Sequence, residues 1–118
     1  LMAHSSMLRR SCKANHMVID MRVVVDSTRG CSVSNYRELI DFTDALLQGD
    51  NNVLDEARGR LHCAVGDAGV VRAAAIVGNF QMMNRALDTL GATLGEVMPS
   101  QIRALAEELG VDAPPHWG

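Results

Sequence analysis

Apolar residues recur at helical spacing along most of this chain. From Ala14 to Thr28, Met17, Met21, Val24 and Val25 fall on one stripe, which predicts a helix, although the run Val23 to Val25 also has strand character. Gly30 is a natural stop. A second helix is predicted with Ser32 or Ser34 as its cap, Asn35 and Glu38 at capping-box spacing, and Gly49 at its end. Its apolar face is Tyr36, Leu39, Ile40, Thr43, Leu46 and Leu47. After the turn "GDNN", a shorter helix from Val53 to Val65 directs Leu54, Ala57, Leu61 and Ala64 inward and closes at Gly66.

Asp67 is then placed to cap the longest element, about Ala68 to Leu90, with Gly91 just beyond it. Ile76, Phe80, Met83, Leu87 and Leu90 form one stripe on it, and Val70, Ala74 and Val77 a second. A helix apolar over so wide an arc is central or interfacial, and Ala73, Ala74, Ala75 and Gly78 permit close approach of a neighbour. Pro99 and Gly110 bound a last helix. Residues 1–13 are read as flexible and 112–118 as an extended tail. About five helices, with no internal repeat or linker, predict a single all-α bundle over residues 1–118.

Composition sharpens this expectation. A chain of 118 residues is large enough for one core but poor in buried surface, which favours self-association. Apolar residues make up 47% and aromatics only 3%, so the core falls to Ala, Val, Leu, Ile and seven methionines, a palette suited to packed helices. The net charge of −3 is uneven: the first 30 residues hold five basic and two acidic side chains, the rest six and twelve. Opposed charge of this kind favours docking between copies. It falls far short of the positive field, interleaved with aromatics, that nucleic-acid binding needs. Cys12, Cys31 and Cys63 are an odd set, which argues against a disulfide framework and predicts a reducing, cytoplasmic setting. No apolar run approaches the ~20 residues of a membrane span, because Arg72, Gly78, Asn79 and Gln81 interrupt the stretch from Val70 to Met83.

Two residues are candidates for chemistry. Cys31 is read as lying just before the second helix, where unpaired N–H groups and the helix dipole favour an anion such as a thiolate. Arg29 and Arg37 flank it; a small buried hydrophobe is the alternative reading. Asp20, on a mostly apolar helix, would hold its proton more tightly than a solvated carboxyl and exchange it. A solvent-facing aspartate, or one paired with Arg22 or Arg37, is the alternative. Cys12 and His16 are spaced C-x-x-x-H, but two ligands are too few for a metal, so neither metal nor cofactor is predicted. His62 and Cys63 point to different faces of their helix.

The stretch "IDMRVVVDSTRGCSVSNYRELIDFTDALLQGD" resembles the core of the carboxymuconolactone decarboxylase and alkylhydroperoxidase D-like family, in which an acidic residue precedes Gly-Cys-x-x-Cys-x-x-His and a helix. "AAIVGNFQMMNRALDTLGATL" is similar to that family's later helix, and together the two segments span about residues 19 to 95. The resemblance implies an alkylhydroperoxidase D-like all-α fold, assembly as a dimer, trimer or hexamer, and a small-molecule pocket at a subunit contact. It places Cys31 at the first cysteine, Ser34 at the second, Arg37 at the histidine and Asp20 near the acidic residue. Ser34 cannot close a disulfide and Arg37 cannot exchange protons near neutral pH.

Three readings follow from that pattern. The protein is a member with lost or altered catalysis, acting by binding. Alternatively Cys31 is a single-cysteine peroxidase whose thiolate takes an oxygen from a peroxide, releases the alcohol and rests as sulfenic acid until Cys12, Cys63 or another thiol resolves it. The third is a lactone decarboxylase-like lyase in which Arg37 holds a substrate carboxylate.

Overall fold

The computed structural model describes residues 2–91 and 99–112, and every regular element among them is helical. The elements are α1 (Met2–Ala14), a 3-10 turn (Met21–Val24), α2 (Tyr36–Gln48), α3 (Asn51–Leu90) and α4 (Pro99–Leu109). The chain divides into two units, one of Leu1–Val33 with Ala92–Gly118 and one of Ser34–Gly91.

In the first unit the stretch read as flexible is helical. α1 turns Ser5 and Cys12 inward, seven residues and two turns apart, and leaves Met7 and Leu8 exposed. The helix expected over 14–28 does not form. His16 takes a left-handed φ of 55° and the Met17 N–H closes on the Cys12 carbonyl at 2.8 Å, a helix stop of the kind usually built on glycine. Only the short turn at Met21–Val24 follows, and its β-branched valines favour such a break. Met21 and Val23 point inward while Val24 and Val25 stay exposed, so the expected stripe is also displaced. Met21 packs with Leu105 and Leu109 of α4, and Ile19 borders them. Arg9 of α1 donates to both carboxylate oxygens of Glu108 on α4, at 2.7 and 2.6 Å. From residue 113 on, the expected extended tail lies outside the described residues.

The second unit is α2 packed on α3. Phe42 and Ala45 meet Ala57 and Leu61, with Leu39, Leu46, Leu54, Val65, Val70, Ala73 and Ala74 around them. Leu39 and Leu46 pack on this core as expected, but the buried face of α2 is centred on Phe42 and Ala45, and Leu47 is exposed. Asn35 precedes α2 in a left-handed conformation and its side chain makes no cap bond, so the expected capping box is not built. α3 begins two residues earlier than expected because Asp50 accepts the N–H groups of Asn52 and Val53, at 2.9 and 3.2 Å.

Gly66 does break the helical path, as its position in the sequence suggests. Its φ of 71° and ψ of 179° lie in a region that is essentially glycine-only. The helix resumes at once, so one long element stands where two were expected. Asp67 does not serve as a new cap; its carboxylate pairs with His62 Nε2 across the break at 2.9 Å. By length and composition α3 is long and apolar enough to cross a membrane, and only 6% of its most apolar window is buried. No such run was expected from the sequence pattern. Gly66, Asp67 and Arg72 lie within the element.

Candidate functional site

The loop that carries Asp20 and Cys31 is closed by a pair of bonds between its ends. The Ser32 N–H donates to the Val18 carbonyl at 3.2 Å, and the Val18 N–H donates to Ser32 Oγ at 3.3 Å. Inside the loop Asp26 folds a tight turn by accepting the N–H and hydroxyl of Thr28, at 3.1 and 2.6 Å. These bonds, together with the loop's charge, lower the Asp26 carboxyl below its ordinary range.

Asp20 is held more firmly. Arg22 donates its Nε to both carboxylate oxygens, at 2.9 and 3.1 Å, its Nη2 to Oδ2 at 2.7 Å, and its backbone N–H to Oδ1 at 3.0 Å. Arg29 Nη1 adds a longer contact of 3.5 Å to Oδ2, while its Nε lies 3.4 Å from Asp26. The side-chain bonds to Arg22 come first among the causes that lower the Asp20 carboxyl to about 2. The expectation of a tightly held, exchangeable proton is therefore reversed. Asp20 is a partly exposed ion-pair carboxylate, and the flanking cation Arg29 is engaged with two carboxylates.

Cys31 is half-buried, and its Sγ accepts the Val33 N–H at 3.4 Å. It does not stand at a helix mouth: α2 begins at Tyr36, five residues on, and the residues between are turn. Dipole stabilisation fades within the first turn of a helix, so the structure does not supply the expected helix-end setting. Cys12 is buried in the first unit and Cys63 is exposed in the second.

Ser34 and Arg37 belong to the second unit, whereas Asp20 and Cys31 belong to the first. Ser34 is exposed. Arg37 Nε donates to the Tyr36 hydroxyl at 2.9 Å, with the guanidinium 5.5 Å from that ring's centre. The four residues that the family pattern groups thus fall two and two.

A different set gathers in the second unit. Glu38, Asp55, Glu56, Arg60 and Cys63 line an open groove of about 650 Å³ with Gly59 and Ala64. Arg60 lies 3.6 Å from Asp41, and Arg58 pairs with Asp55 at 2.8 Å. Sequence reasoning missed this set because Glu38 comes from α2 and the rest from one face of α3, a juxtaposition only the helix pair creates. Three carboxylates beside one arginine give an anionic, solvent-open surface without the enclosure of a small-molecule site. No cluster of three metal-ligating side chains occurs among the described residues.

Comparison with protein-family models, curated proteins and solved structures finds no match to this chain.

Proposed function

We propose that this chain is a divergent alkylhydroperoxidase D-like protein that has lost the family's thiol chemistry and acts as a cytoplasmic, self-associating helical binding protein. The observation that carries the loss of catalysis is Asp20, whose carboxylate is bound by Arg22 and Arg29 and lowered to about 2. A residue so held is a poor proton relay at neutral pH. Ser34 in place of a second thiol and Arg37 engaged on Tyr36 support the same reading. Charge separation between the first 30 residues and the rest, with a core short of aromatics, supports assembly over a sealed monomer.

Peroxide consumption in the presence of excess dithiothreitol tests the reading. The full chain and its Cys31→Ser variant are expected to consume peroxide at the same background rate. Turnover that disappears in Cys31→Ser would restore the single-cysteine peroxidase and overturn the loss of catalysis.

A further inference from the structure

We propose that Gly66 is a hinge in α3 and that His62 latches its bent form on Asp67, so that α3 is held bent when His62 is protonated and released when it is not. This goes beyond the binding role and does not depend on it. Three observations meet at the break. Gly66 has a φ of 71° and a ψ of 179°, a conformation essentially confined to glycine, yet the residues on both sides are helical. The bend folds one turn onto the next: a Cβ built on Gly69 would lie 2.6 Å from Val65 Cβ, where positions four apart on a regular helix stand about 5–6 Å apart. His62 Nε2 meets Asp67 Oδ1 at 2.9 Å although the two are five residues apart. On a continuous helix that spacing turns through about 140°, and side chains so placed do not pair. The latch therefore belongs to the bent form and not to a straight one. Glycine allows both, because helical backbone is open to Gly66 and Gly69 has no side chain to press on Val65 when α3 bends.

The charges around His62 leave Asp67 as its partner. On α3, Arg58 lies one turn before His62 and is held by Asp55 at 2.8 Å. On α2, the element packed against this helix, Asp41 pairs with Arg60, about 200° around α3 from His62. Glu38 borders the same groove as Arg60. Arg37 is engaged on Tyr36, and exposed Asp44 stands two residues from buried Phe42, on the outer side of α2. Neutral His62 offers Asp67 only an uncharged N–H, whereas protonated His62 offers a charge-assisted bond. Histidine gains that proton between about pH 8 and 5. What the latch moves is one end of the α2–α3 core: Val65 precedes the break, Val70, Ala73 and Ala74 follow it, and all four pack on that core. Exposed ion pairs are weak, so the ratio of bent to straight α3 is expected to rise about two- to five-fold on protonation.

Residual dipolar couplings of backbone amides before and after Gly66, measured on the isotopically labelled full chain at pH ~8 and ~5.5, test this. The averaged angle between the two segments is expected to be larger at the lower pH. Asp67→Asn and His62→Gln, both at exposed sites, are expected to give one angle at the two pH values, which separates the latch from the titration of His4 and His16. An angle that does not change with pH in the parent chain, a larger angle at the higher pH, or a pH dependence that survives in Asp67→Asn or His62→Gln would overturn the proposal.

Discussion

Up to Ala74 one apolar face of α3 lies against α2, with Leu61 fully buried and Ala57 nearly so, while Val53 and Val71 lie off that face and are exposed. From Ile76 to Leu90 the same helix shows an apolar stripe of equal regularity, and most of it faces solvent. Both halves have the periodicity of a helix that covers something. What differs is the cover: the core formed with α2 takes in residues of the first half, and none of the second is part of it. Periodicity therefore identifies the face of a helix that is to be buried, while chain topology decides whether the same molecule supplies the cover.

The comparison breaks most easily at its packed end. Leu61→Ala removes a fully buried side chain and is expected to cost about 2–5 kcal/mol in urea unfolding. Leu87→Ala, under dilute monomeric conditions, is expected to change stability by no more than about 0.5 kcal/mol. Equal costs at the two positions would mean that the second stripe is covered within the monomer.

The next effects concern the break between the halves. Gly66→Ala places a side chain in open space but on a glycine-only backbone conformation, and is expected to cost about 1–3 kcal/mol by thermal or urea unfolding. Gly69→Ala tests close approach instead: its new Cβ would lie 2.6 Å from Val65 Cβ and press on Val65 Cγ2. Because a Cβ cannot swing aside, the backbone must shift, at about 1–3 kcal/mol. If Gly66→Ala is neutral, the helix runs through unbroken and the two halves are one rigid rod.

The smallest effect lies away from α3 and gives a surface reference for these numbers. The folded Asp20 carboxyl, at about 2, is depressed relative to ~3.9 for an unfolded aspartate. Its contribution is present in full above the unfolded value and is lost as pH falls through the folded one. Asp20→Asn is expected to flatten the stability profile slightly between those values and to leave the profile above pH ~5 with the same slope. A slope change confined to neutral pH would contradict the ion-pair assignment.

Much of the second unit was legible in the sequence. Gly49 and Gly66 mark where α2 ends and where α3 breaks, and Leu54, Ala57 and Leu61 line the face expected of them. The first unit was harder, for identifiable reasons. Among its described side chains α1 shows only Ser5 and Cys12 to the interior, too sparse a pattern to read as an amphipathic helix, and its stop is His16 where a glycine would have announced it. With that stop unannounced, Ala14 to Thr28 reads as a helix of its own. The helix-mouth setting expected for Cys31 is not built for a related reason: Asn35, left-handed and without a side-chain cap bond, precedes α2, so the helix starts five residues after the cysteine, and no sequence pattern reports a backbone choice of that kind. The pairing of Asp20 with Arg22 was one of the alternatives the sequence left open, and local geometry decided it.

Hydrogen exchange along α3 addresses the central claim most directly. Amides from Leu54 to Leu61, which α2 packs against, are expected to exchange far more slowly at every concentration than those from Met82 to Leu90, where the apolar side chains are exposed. Equal protection of the two stretches in dilute solution would contradict the account.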